Sequence, residues 1–236
     1  MAEEKTGPEL VWSRERRAPG RQAMTLERIV AVSITITDAE GLDALSMRRV
    51  AADLDSGTTS LYRHVAGRDE LLDLMIDAVQ GEEPPPPPSG DWRADLLAVA
   101  RRMRAALLRH PWLGAVMSTR PALGPNALRQ IDGSLAAAGG LTSDITLASD
   151  VVVVLTQYVF GAVSRELSEQ EVQRRTGQSE DEWRRSIAPY IGEVIGSGAY
   201  PQFARRVIEA QEHSFEELFE FGLGCLLDGI AGRVAG

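Results

Sequence analysis

At 236 residues, 44% of them hydrophobic, the chain can bury a sizeable core in one small and one larger domain. Its formal net charge of -9 gives no global sign of a polyanion-binding protein. The lone cysteine, Cys225, excludes an internal disulfide, and no charged segment followed by an apolar one opens the chain, so a cytoplasmic location is expected.

Charge is unevenly spread. From Arg14 to Arg68 nine arginines stand against seven acidic residues, so this stretch is basic inside an acidic chain. Residues 1–23 are polar, contain Pro8, Pro19 and Gly20, and read as a flexible arm. Its Arg14, Arg16, Arg17 and Arg21 are either a solvated tail or an arm able to enter a minor groove.

Helical punctuation begins at Thr25. Capped there, Leu26, Ile29, Val30, Ser33, Ile36 and Thr37 follow the i, i+3, i+4 spacing of a buried stripe until Gly41 ends it. A short helix capped by Ser46 buries Met47, Val50, Ala51 and Leu54. The turn Asp55-Ser56-Gly57 leads into a third, roughly Thr58 to His64, and a fourth runs from Arg68 to Gln80 with Leu71, Leu72, Met75 and Val79 inward.

Two short helices joined by a tight turn have the size of a helix-turn-helix, whose second helix fits a major groove about 12 Å wide. Thr58, Thr59 and Ser60 place short hydroxyls at its leading end, Leu61 faces the core, and Tyr62, Arg63 and His64 follow. Tyr62 either packs over the head or touches phosphate or base. His64 is either a dipole partner at a helix C-terminus or a DNA contact. Arg68 opens the next helix, where a cation and N-terminal amides together suit a phosphate.

Pro84 to Pro88 cannot be helix interior and mark an extended, semi-rigid spacer over 81–90. Beyond it, helical segments are expected near 91–109, 124–138, 143–167, 179–197, 201–212 and 214–234. Capping boxes pair Ser179 with Glu182 and Ser214 with Glu217. The apolar run Val151–Val163 is broken by Gln157, falls short of the roughly 20 residues of a membrane span, and is expected to be a buried helix. The chain reads as all-α, with a head over 24–80 and a larger helical domain over 91–236.

The segment LSMRRVAADLDSGTTSLYRHVAGRDELLDLM, Leu45 to Met75, resembles the TetR family signature. The resemblance implies a three-helix DNA-binding head plus a connecting helix, and places Thr25, Arg48, Thr58, Thr59, Ser60, Tyr62, His64 and Arg68 at DNA-contacting positions. The sequence departs at the turn, where the family usually has Gly and then an apolar residue and this chain has Asp55 and Ser56.

The segments DWRADLLAVARRMRAALLRHPWL, TRPALGPNAL and FEFGLGCLLDGI are similar, more weakly, to the tetracycline-repressor-like C-terminal domain. That implies a homodimer formed through a four-helix bundle, a small-molecule inducer held within each subunit, and a double-stranded operator. The last helix fits such a role, since Phe215, Phe219, Gly222, Leu226 and Ile230 make one apolar stripe and Leu218, Phe221, Cys225 and Leu227 a second.

Val116 stands where those repressors place a metal-coordinating histidine, Val99 where they place an asparagine and Met103 where they place an aromatic, so neither metal nor cofactor is expected. His110 and His213 have no ligand cluster around them in sequence and read as structural. Pockets between bundle helices are apolar with a few polar groups. Val99, Met103, Leu107, Trp112, Val116, Met117, Leu128, Ile131, Tyr158 and Trp183 are the apolar or aromatic candidates; Arg120 and Gln157 are the polar ones, although Arg120 equally suits a surface salt bridge. No Ser-His-Asp, Cys-His or phosphate-loop motif supports catalysis. A larger domain serving only as a dimerisation scaffold is the remaining alternative.

Overall fold

The computed structural model describes residues 24–117 and 122–234, and all regular structure among them is helical. The arm 1–23 and Arg120 lie outside the described residues. The chain divides into two compact units, Met1–Val154 and Leu155–Gly236.

In the first unit α1 spans Leu26–Glu40. Thr25 Oγ1 accepts from the Arg28 amide at 3.2 Å, and Gly41, at φ 85°, closes the helix by donating to Thr37 O. Ser33 and Thr37 occupy its buried stripe because each hydroxyl donates to the carbonyl four residues back, at 2.7 Å, which gives both buried hydroxyls a partner. A single 3-10 turn, Leu42–Ala44, follows, which the sequence reading did not anticipate.

Helix α2, Met47–Asp53, is capped by Ser46 and ends in a Schellman motif: the Ser56 amide donates to Ala51 O at 2.9 Å and the Asp55 amide to Ala52 O at 3.1 Å. This end requires a left-handed residue, and Asp55 supplies it at φ 49°. Helix α3, Thr58–Leu61, is one turn long; the chain then continues as turns through His64 rather than as helix. Leu61 and Val65 anchor it in the core.

Helix α4, Arg68–Gln80, has the bounds expected from sequence but buries more than one stripe, because α1 packs on one side and α7 on another. Leu74, Ile76 and Asp77 are therefore buried beside Leu71, Leu72, Met75 and Val79. Asp77 accepts from the Asn126 and Ala127 amides at 2.8 and 3.0 Å, capping α7, Pro125–Gly139, from a neighbouring helix. Those amides are the orphan donors of a helix start, so one buried carboxylate ties α4 to α7.

The proline run is held in place. Glu82 and Glu83 both pair with Arg109, at 2.8 and 2.9 Å, and a Cβ at Gly133 would come within 2.7 Å of the Pro85 ring. Helix α5, Trp92–Arg109, is capped by Asp91; α6, Leu113–Met117, is a short helix absent from the sequence reading. Helix α8, Ile145–Thr176, extends beyond the expected end at 167.

In the second unit α9, Glu180–Gly196, and α10, Pro201–Glu209, bury none of their residues, and α11, Phe215–Val234, buries Phe219, Leu223 and Leu227. The buried line thus combines one residue from each expected stripe with Leu223, which belonged to neither. Both expected capping boxes form, with Ser179 and Ser214 each bonded to the glutamate three residues on.

Candidate DNA-binding surface and ligand cavity

The head turns a consistent set of side chains outward. Arg48, Thr59, Tyr62, Arg63, His64 and Arg68 are exposed, Tyr62 by 55%, and Thr58 and Ser60 are half-buried at the start of α3. Tyr62, the residue that ends α3, is 55% exposed next to the fully buried Leu61, so it faces outward rather than into the core. Thr25 Oγ1 accepts the capping bond of α1, and a hydroxyl that accepts still carries a proton it can donate.

Arg68 has an internal role as well. Its Nε donates to Leu45 O at 3.2 Å and its Nη2 to Leu42 O at 3.1 Å, so the guanidinium stitches the start of α4 to the link between α1 and α2.

The first unit holds a partly open cavity of about 60 Å³ lined by the end of α4, α5, α6 and α7. Val99, Met103, Leu107 and Met117 line it, together with Val79, Leu113, Arg102 and Gln130. Other expected lining residues lie elsewhere. Trp112 is buried but donates its Nε1–H to Asp38 Oδ1 at 2.7 Å, Val116 is half-buried outside the cavity wall, and Leu128 and Ile131 are about half exposed. In the second unit Gln157 and Trp183 are exposed, and Tyr158 donates to Phe219 O at 2.7 Å. Leu128 and Ile131 miss the cavity because α7 turns Ala127, Ser134, Ala137 and Ala138 inward instead.

Arg102 was not singled out from sequence. It sits three residues after Val99 on the cavity face of α5, a cation beside Val99, Met103, Ala106 and Leu107, which was the available signal. Nη2 donates to Gln130 Oε1, but Nε and Nη1 are buried with no partner among the described residues. Burial pulls its pKa below the ordinary arginine value, and the charge of Glu83 offsets part of that. Among the described residues no group of three or more His, Cys, Asp or Glu side chains is placed to hold a metal ion.

A second network joins the cavity rim to the head. His110, 3% exposed, has Nδ1 2.9 Å from Asp38 Oδ1 on α1 and Nε2 3.3 Å from Glu82 Oε2. Glu82 and Arg109 also belong to the cavity wall.

The chain matches the family model described as tetracyclin repressor-like, C-terminal domain, over residues 84–234. It is 44% identical over 234 residues to the HTH-type transcriptional repressor DrrR1 of Streptomyces coeruleorubidus, covering 96% of this chain and 85% of that protein. The chain belongs to the TetR family. Members of this family are DNA-binding regulators of transcription rather than enzymes, and they bind small molecules. The TetR fold is matched in solved structures too: apo ActR of Streptomyces coelicolor superposes with a TM-score of 0.73 at 28% identity, over 90% of this chain and 97% of that one. ActR in complex with actinorhodin gives a TM-score of 0.71 at 30% identity, over 89% and 96%.

Proposed function

We propose that the protein is a cytoplasmic, homodimeric repressor that binds an inverted-repeat operator and is released by a small apolar or aromatic molecule, without metal or cofactor. The head over 24–80 holds DNA through Thr25, Arg48, Thr58, Thr59, Ser60, Tyr62, Arg63, His64 and Arg68; the segment 81–90 joins it to the ligand-binding and dimerisation domain over 91–236. The observation that carries this reading is the placement of α4. One end follows the recognition helix after Val65-Ala66-Gly67, and the other end supplies Val79 and Gln80 to the cavity wall. Its 13 residues make a rigid rod roughly 20 Å long at 1.5 Å per residue, so a change of shape at the cavity moves the head.

The naming of DrrR1 as a repressor supports repression, and the actinorhodin complex of ActR supports a small-molecule effector. A ligand lowers operator affinity only by favouring the arrangement that does not bind DNA, and a coupling of about 1–3 kcal/mol gives roughly 5–150-fold.

The dimer reading rests on exposed apolar surface. Helix α8 contains a window of mean hydropathy 1.6, long and apolar enough by length and composition to cross a membrane, of which 22% is buried. Val153, Val154, Leu218 and Phe221 are exposed, the last by 72%. A second copy covering such surface on α8 and α11 removes it from water, and a membrane is not required.

Selection of bound sequences from random DNA with the purified protein tests the operator reading. An inverted repeat occupied by two chains is expected, and a single asymmetric site occupied by one chain would overturn it. Screening compounds for release from the selected site tests the effector reading. Sedimentation of Phe221→Glu tests the dimer: a monomer with operator affinity lost is expected, and an unchanged dimer removes α11 from the interface.

A further inference from the structure

We infer that the effector is an organic acid, with an apolar body of ring size among Val99, Met103, Leu107 and Leu113 and a carboxylate or comparable anion against Arg102. The inference rests on the reading of this cavity as the effector site. Half of the cavity's lining residues are aliphatic or thioether, which suits an apolar body and says nothing of charge. Arg102 adds the charge. Two of its donors are buried without a partner among the described residues, a costly arrangement for a guanidinium whose pairing prefers a planar, two-oxygen acceptor.

The two glutamates of the same wall do not argue for a cation. Glu82 and Glu83 each pair with Arg109 and both side chains are well exposed, so their charge is already answered. Among the described residues the hydrogen-bond partner of Arg102 is the neutral Gln130 amide, while Glu83 acts on it through charge and without a hydrogen bond, and Gln130 is itself fixed by donating to Gln80 O and Glu83 O at 2.8 and 2.7 Å. Its oxygen therefore faces the guanidinium as a held acceptor, and the remaining donors await an anion.

Size sets a further condition. A cavity of about 60 Å³ holds only a few waters at about 10–15 Å³ each, so a ring-sized ligand must open it. Met103 and Met117 have the flexible side chains to yield, and the hydrogen bond from Gln80 Nε2 to Met117 Sδ, at 3.4 Å, is a weak closure. Opening the wall also brings the ligand to the Arg102 donors, which water does not reach in the closed form.

Calorimetry on the full chain with 1-naphthylacetate and its neutral isostere 1-naphthylacetamide tests the inference. The acid is expected to bind at least tenfold more tightly than the amide. Arg102→Met, close in volume, is expected to abolish that preference with the fold intact by circular dichroism, and Arg102→Lys to restore part of it. Val99→Trp, which fills the cavity, is expected to remove binding of both probes. Equal binding of acid and amide, or an acid preference that survives Arg102→Met, overturns the acid inference and leaves the cavity as the effector site. Binding of both probes unchanged by Val99→Trp, or of neither to the wild-type protein, overturns the cavity reading and the acid inference with it.

Discussion

Trp112 Nε1 donates to Asp38 Oδ1 at 2.7 Å, joining the residue just before α6 to the last turn of α1. The same carboxylate lies 2.9 Å from His110 Nδ1, so two aromatic rings converge on one acid of the head. Because His110 also meets Glu82 at the cavity rim, a rearrangement of the cavity has a hydrogen-bonded route to α1 besides the rod of α4.

Asp38→Ala leaves the Trp112 and His110 donors without their acceptor. A loss of about 1–3 kcal/mol in unfolding free energy is expected, read from denaturant titration. Compound-dependent release from the operator should weaken by more than operator affinity itself. A variant of unchanged stability and unchanged response shows the contact to be incidental.

Asp55 occupies the left-handed position that closes α2. That conformation costs about 1–2 kcal/mol for most residues and less for Asp, while glycine adds roughly 0.4–1 kcal/mol of unfolded-state freedom. The two nearly cancel, so Asp55→Gly should raise stability by less than about 1 kcal/mol. A higher denaturation midpoint at an unchanged slope is the expected readout, and Asp55→Val should lower it sharply.

The bounds of α4 and the caps at Thr25, Ser46, Ser179 and Ser214 were legible in the sequence because capping and heptad-like spacing are local. What was not legible depends on tertiary placement. Asp38 and His110 are 72 positions apart, and no spacing rule joins them. Leu128 and Ile131 look like cavity residues on α7, yet the helix buries Ala127, Ser134, Ala137 and Ala138, the small residues of the side that packs against α4 and α5. The extension of α8 beyond 167 runs through polar residues whose helical propensity is good but whose apolar stripe is weak.

Tyr158 packs against Phe219 with ring centroids 5.7 Å apart, and a Cβ at position 222 would collide with its hydroxyl. Gly222→Ala should therefore loosen the second unit and lower the melting temperature more than Gly224→Ala, where the added carbon meets open space. Burial raises the Tyr158 pKa above 10.0, so its contribution to stability is complete below pH 10.0 and is lost as the pH rises through the folded value. Tyr158→Phe should cost about 1 kcal/mol at neutral pH and remove this alkaline component.

Glu182 and Glu217 are exposed, and hydrogen bonds from the Ser179 and Ser214 backbones and hydroxyls hold their pKa values below 4.5. Depressed acids stabilise the fold above their unfolded value, so this support is present above pH 4.5 and disappears as the pH falls through the folded values. Ser179→Ala and Ser214→Ala should each reduce the acid sensitivity of helix content between pH 5 and 3. Acid unfolding unaltered in both variants would contradict a role for the capping boxes.

Arg48 and Arg68 offer the sharpest separation of contact from support. Both are exposed, but Arg68 spends Nε and Nη2 on the Leu45 and Leu42 carbonyls. Arg68→Ala should therefore lower the melting temperature of the head and weaken binding to every DNA sequence, in part because the α1–α2 link is released. Arg48→Ala should leave the melting temperature near that of the wild type. If Arg48 meets a phosphate, its loss removes about one released counterion per head, and the slope of log affinity against log salt should flatten by about one unit per head. Tyr62→Ala serves as the contrast: specific affinity should fall while the salt slope is kept, since no charge is removed. An Arg48 variant with an unaltered slope takes that residue out of the DNA contact. An Arg68 variant with unaltered melting but a flattened slope shows that its charge acts on DNA and that its two carbonyl bonds are dispensable.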